Sequence, residues 1–152
     1  MIFRHIADID LQRWSVIACD QYTSDPGYWE RVAGQVGDAP STLHLTFPEV
    51  FLGRADKRER IARIQATMRR YLAEGLLRDH VGVVLVERSL PDGRVRRGLM
   101  LELDLEHYDF APTSTSLIRP TEGTIVEPIA PRVEVRQGAE LELPHILVLI
   151  DD

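Results

Sequence analysis

At 152 residues, 44% hydrophobic and 28% charged, the chain is long enough to remove roughly two-thirds of its unfolded surface from water and too apolar to stay disordered. Its formal net charge of −6 argues against a nucleic-acid surface covering the whole molecule, because such binding comes mainly from lysine and arginine neutralising phosphates. One compact domain is expected over residues 1–152, without a disulfide, since Cys19 is the only cysteine.

The chain opens with Arg4, His5, Asp8 and Asp10, which leaves no signal-peptide core, and no apolar run approaches the roughly 18 residues a membrane helix requires. A cytoplasmic protein with no membrane partner is expected. Trp14-Ser15-Val16-Ile17-Ala18-Cys19 is short and rich in large and β-branched side chains, the pattern of a buried strand. Cys19 at its end reads as a small apolar residue rather than a nucleophile. Ser24-Asp25-Pro26 then offers a cap, an acid and a proline, and Trp29, Ala33 and Val36 recur at helical spacing, which predicts a helix over 25–36 stopped by Gly37. Strand, polar turn and helix start would aim backbone N–H groups toward Gln21 and Thr23, a second candidate site beside Asp20.

Thr42-Leu43-His44-Leu45-Thr46-Phe47 alternates and stops at Pro48, so a strand is predicted with Leu43, Leu45 and Phe47 on one face. From Asp56 to Glu74 the period changes. Ile61, Ile64, Met68, Tyr71 and Leu72 form one helical stripe, with Arg63 and Arg70 opposite and Gly75 as the stop. This helix carries most of the chain's basic residues, but no aromatic side chains interleave on its polar face to stack bases, so nucleic acid is not the expected partner. The apolar runs of 82–88 and 94–104 flank Ser89-Leu90-Pro91-Asp92-Gly93, the chemistry of an antiparallel hairpin. Glu106-His107-Tyr108-Asp109 gathers two carboxylates around a histidine without a metal-ligand spacing, and no metal is expected there. Val133-Glu134-Val135 is predicted to be a brief strand, and Pro144 to Ile150 a fully buried one. Asp151-Asp152 ends the chain directly after it, which points to the N-terminal part of a longer protein and to self-association through a surface left uncovered.

The chemistry concentrates in Ser116-Leu117-Ile118-Arg119-Pro120-Thr121-Glu122-Gly123-Thr124-Ile125, with Pro131-Arg132 downstream. Two arginines, a glutamate and two threonine hydroxyls held between apolar residues, with prolines limiting the backbone, are the kit of an anion-binding loop. Arg119, Thr121, Gly123, Thr124 and Arg132 are the candidate ligands of a phosphate or carboxylate, with Gln21 as a second wall. Glu122 is the candidate base or magnesium ligand, and Asp20 a candidate catalytic carboxylate. The same arginines and glutamate would equally make structural salt bridges. The residues name no cofactor.

Cys19-Asp20-Gln21-Tyr22-Thr23-Ser24, Tyr28-Trp29, Pro48-Glu49-Val50, Val86-Glu87-Arg88, Ser116-Leu117-Ile118-Arg119, Thr121-Glu122-Gly123-Thr124-Ile125, Pro131-Arg132-Val133 and Leu143-Pro144-His145-Ile146 together resemble the bacterial domain-of-unknown-function family numbered ten-fifteen. The resemblance covers nearly the whole chain and implies no particular activity. It also implies a distant similarity to the ParB-like superfamily, which includes a free-serine kinase and nucleotide-hydrolysing partition proteins. Pro120 and Pro128 depart from the family's pattern, where a small residue and an arginine are expected. The charge lost at 128 weakens any anion binding by the loop.

The expected fold is mixed α/β, of the α+β kind: a mixed or largely antiparallel sheet of about five or six strands with two main helices. Two functions from different classes fit. One is a phosphotransferase-like small-molecule enzyme that binds a phosphorylated metabolite or nucleotide through residues 116–132. The other is a non-catalytic regulatory or protein-interaction domain. Burial of Glu122 with Arg119 as its only partner would favour the second.

Overall fold

A computed structural model describes residues 2–6, 9–111, 113–119 and 129–143. In chain order the elements are β1 (Ile2–Ile6), α1 (Leu11–Trp14), α2 (Pro26–Val36), 3-10 turns at Thr42–His44 and Glu49–Phe51, α3 (Lys57–Ala73), β2 (Leu77–Val81), β3 (Val84–Ser89), β4 (Val95–Met100), a 3-10 turn at Leu105–His107, and α4 (Ile129–Arg136). Two compact units result: a hairpin unit of Met1–His5 with Arg78–Ile125, and a helical unit of Ile6–Leu77 with Val126–Asp152.

The helical unit holds the core. Asp25 caps α2 by accepting the Tyr28 N–H at 3.0 Å, Pro26 occupies the first turn, and Gly37 ends the helix at a φ of +56° that only glycine adopts without strain. This orientation buries Trp29, at 1% exposure, and Val36. Along α3 the apolar stripe buries Ile61, Ile64, Met68 and Tyr71, while Leu72 is half-buried. Leu45, Phe47 and Phe51 complete the cluster around Trp29.

Two predicted strands are turns and coil in this unit. Asp10 accepts the Gln12 N–H at 3.0 Å and starts α1, so Trp14 closes a helix instead of opening a strand. The Trp14 carbonyl takes the hydroxyls of Ser41 at 3.2 Å and Thr42 at 2.8 Å. Residues 15–18 follow without forming a strand. At 42–47, Ser41 Oγ accepts the Leu43 N–H at 3.2 Å and the chain turns as a 3-10 helix; Leu45 and Phe47 are still buried, but by a curl and not by a pleat. Val133, Glu134 and Val135, also predicted as strand, lie inside α4. That helix is fastened to α3: Gln65 Nε2 donates to the carbonyls of Gln137 at 2.8 Å and Val135 at 3.4 Å, and Lys57 Nζ pairs with Glu134 at 2.8 Å. Intrahelical bonds plus these tethers satisfy the backbone without a sheet partner.

In the hairpin unit β1 pairs with β2, and β3 pairs antiparallel with β4 in the register Val84↔Met100, Leu85↔Leu99, Val86↔Gly98, Glu87↔Arg97, Arg88↔Arg96 and Ser89↔Val95. The connection closes as its residues predict. Arg94 donates its N–H and its Nε to the two oxygens of Asp92, and Gly93 takes a φ of +85°. Among the described residues the four strands form two two-stranded sheets, and the predicted single sheet of five or six strands is not found among them. The predicted strand at 144–150 lies outside the described residues. None of the hairpin unit's described residues between 78 and 119 is buried. No helix among the described residues is long and apolar enough to cross a membrane.

Candidate functional site

Within the helical unit, the segment after α1 turns sharply at Cys19–Ser24, and three contacts set that turn. The Gln21 N–H donates to the Ala18 carbonyl at 3.0 Å, Trp29 Nε1 donates to the Gln21 carbonyl at 3.2 Å, and Tyr22, at a φ of +51°, stacks its ring on Tyr28 with centroids 4.0 Å apart. A left-handed tyrosine costs conformational energy, which the stacking and the buried indole's hydrogen bond offset. The side chain of Gln21 turns back to donate to Asp20 Oδ1 at 3.2 Å.

The 3-10 turn at Glu49–Phe51 meets this segment directly, because the Glu49 N–H donates to the Cys19 carbonyl at 2.9 Å. From α4, Arg132 places Nε at 2.8 Å and Nη2 at 2.6 Å from Glu49 Oε1. Glu49 is only 17% exposed along its side chain and Arg132 is 51% exposed. The hydrogen bonds to Glu49 raise Arg132 above its ordinary pKa; burial offsets part of this, and the charges of Glu49, Cys19 and Asp20 add to it. The same neighbours act on the thiol. Burial pushes Cys19 above the ordinary range, the carboxylates of Glu49 and Asp20 push it further, and Arg132 draws it partly back. A thiol so placed is a poor nucleophile.

Of the residues singled out from the sequence, Asp20, Gln21 and Arg132 therefore share one locus of the helical unit, joined through Glu49. Arg119 is exposed, belongs to the hairpin unit, and makes no ion pair with any described residue. Thr121, Glu122, Gly123 and Thr124 lie outside the described residues. Glu49 was not among the candidates. Its only signal in the sequence is its place in Pro48-Glu49-Val50, and its partner is 83 positions away.

The charge balance of this locus decides what it can do. Asp20 and Glu49 supply two negative charges against one guanidinium, and two of that guanidinium's N–H groups are already spent on Glu49. A polyphosphate would meet net repulsion here, whereas a fixed Arg–Glu pair is suited to holding α4 against the Glu49–Phe51 turn. Among the described residues no three His, Cys, Asp or Glu side chains gather to hold a metal. Asp104 caps the 3-10 turn at Leu105–His107, and Asp109 accepts the Ala111 N–H at 3.0 Å. A cavity of about 180 Å³ lies elsewhere in the unit, between α1 and α2, lined by Arg13, Val16, Tyr28, Val32 and Val36 among others.

The other chemical feature is apolar. On β3 and β4, Leu85 is 66% and Leu99 61% exposed, side by side in the ladder, with Val83 and Leu101 exposed beyond them. Cross-strand partners share a face, so the neighbouring pair on that face is Glu87 with Arg97, whose Nε lies 2.9 Å from Glu87 Oε2.

A comparison with known families matches residues 3–152 to one described as "Protein of unknown function (DUF1015)". No curated protein and no solved structure matches the chain.

Proposed function

The chain belongs to this family of unknown function, and from its own residues we propose that it works as a non-catalytic interaction domain, with the helical unit as platform and the β3–β4 ribbon as contact surface. The observation that carries this is the pair Leu85 and Leu99, two-thirds exposed on a ribbon whose unit has no buried described residue between 78 and 119. A two-stranded ribbon is marginally stable alone, and contiguous exposed apolar side chains mark surfaces that bind another chain. The ion pair of Glu49 with Arg132 also supports a structural role for that locus, because the carboxylate is largely buried and two of the guanidinium's N–H groups are spent on it.

The test is the double substitution Leu85→Thr with Leu99→Thr, which keeps strand propensity and removes the apolar surface. A contact surface leaves the melting temperature of the isolated chain unchanged while binding of an apolar reporter dye falls. A large drop in melting temperature would identify the two leucines as core residues and overturn the reading.

A second reading is favoured by one observation, the half-exposed guanidinium of Arg132 held in a fixed orientation beside Asp20 and Gln21. A phosphotransferase-like enzyme would use such an arginine for a phosphate or carboxylate. Thermal-shift screening with nucleotides and phosphorylated metabolites tests it: stabilisation lost in Arg132→Ala supports the enzyme, and no response from any ligand removes it.

A further inference from the structure

The contact surface just proposed has a symmetry of its own, and the inference that follows rests on that reading. Along one face of the ribbon the register sets three layers: Leu85 beside Leu99, Glu87 beside Arg97, and Ser89 beside Val95. Each layer pairs one residue from β3 with one from β4. If a second ribbon is laid on this face about a two-fold axis running along the strands, β3 of one copy lies over β4 of the other. Leu85 then meets Leu99 of the second copy, and Glu87 meets its Arg97, in both directions at once. A two-fold axis across the strands would instead set each charge over its like or the charged layer over an apolar one. We infer that the partner of this face is a second copy of the chain, docked in the first arrangement.

The physical case has three parts. An isologous contact requires a self-complementary patch, and this one is complementary in each layer. The pair Glu87–Arg97, 51% and 71% exposed along its side chains, is open to solvent on the face in question, so docking adds two intermolecular charge pairs to two that already exist. Leu85, Leu99, Val83 and Leu101 supply apolar surface that a docked copy removes from water. Six residues per strand make the ribbon about 20 Å long, which is small against the roughly 800 Å² per partner of a stable interface. The dimer is accordingly weak and concentration-dependent.

The experiment is sedimentation velocity over a wide concentration range on five samples: the parent chain, Glu87→Arg, Arg97→Glu, an equimolar mixture of those two, and the double exchange carrying both substitutions. Each single variant presents one sign of charge on both strands, so each stays monomeric. In the mixture, the all-arginine layer of one chain faces the all-glutamate layer of the other, and dimers reappear. The double exchange restores opposite charges within and between chains and dimerises like the parent. Because the parent pair is exposed, these exchanges leave folding intact, which circular dichroism verifies. A parent that is monomeric throughout, single variants that dimerise as the parent does, or a mixture that stays monomeric each overturns the inference. If the parent is monomeric while the Leu85→Thr, Leu99→Thr chain melts like the parent, the surface is free for a different partner and only the second copy is excluded. If that chain is destabilised, the interaction reading falls as well.

Discussion

Arg132 reaches back 83 positions to set both Nε and Nη2 on one oxygen of Glu49, and the Glu49 N–H in turn holds the Cys19 carbonyl. One ion pair thereby joins α4, the Glu49–Phe51 turn and the Cys19–Ser24 turn. Replacing Arg132 by alanine leaves a largely buried carboxylate without its partner. The expected loss is about 1–3 kcal/mol, below the value for a fully buried pair because Arg132 is half exposed. Arg119→Ala, at an exposed position with no described ion pair, should change stability by less than about 0.5 kcal/mol. Denaturant melts of the two variants check the contrast.

The same cluster governs the thiol. Burial and the carboxylates of Glu49 and Asp20 raise the Cys19 pKa, so less thiolate is present at neutral pH than for a free cysteine. Alkylation by iodoacetamide should be slower than that of a small-molecule thiol. Asp20→Asn removes a raising charge and should speed it, while Arg132→Lys, which keeps the charge, should leave it nearly unchanged. Rates measured against pH read this directly, and a Cys19 that titrates below the ordinary thiol range would contradict it.

The Ser41–Tyr71 contact is a second polar anchor, this time inside the core. Ser41 is fully buried and its N–H donates to the Tyr71 hydroxyl at 3.1 Å. Tyr71→Phe orphans that N–H and should cost about 1–3 kcal/mol. Ile64→Ala, which empties a buried position on the same helix, should cost about 2–5 kcal/mol. Urea melts of both variants test whether α3 organises the unit as its burial pattern requires.

How far the sequence carried depended on where the information lay. The α2 and α3 helices and the β3–β4 hairpin were legible because cap, period and turn residues agree locally: Asp25 with Pro26 and Gly37, the stripe Ile61-Ile64-Met68, and Asp92-Gly93. Val16-Ile17 and Leu43-Leu45-Phe47 have strand composition, yet Asp10 and Ser41 spend their side chains on backbone N–H groups and curl the chain instead. Short apolar runs do not distinguish these outcomes. Val133-Glu134-Val135 failed for a related reason, since its helix is held by Gln65 and Lys57, far away in the sequence. For the site, Asp20, Gln21 and Arg132 could be read as polar residues in suggestive places. Their common neighbour Glu49 could not, because a contact across 83 positions leaves no periodicity to detect.

The turn of the hairpin offers a local check on its register. Gly93 sits at a φ of +85°, where a Cβ is strained, and nothing lies within 4 Å to clash with it. Gly93→Ala should therefore act through backbone strain alone, weakening the hairpin by about 1–2 kcal/mol. Gly93→Asn, which tolerates this region better, should be milder. Backbone chemical shifts of Val84–Ser89 and Val95–Met100 report which variant keeps the ladder.

Hydrogen exchange on the dilute parent chain separates a ribbon that awaits a partner from one that belongs to a core. Strong protection is expected for the amides of α3 around Ile61, Ile64 and Met68, and weak protection for Val84–Ser89 and Val95–Met100 that rises with protein concentration. Amides of β3 and β4 protected as strongly as those of α3 at high dilution would contradict it.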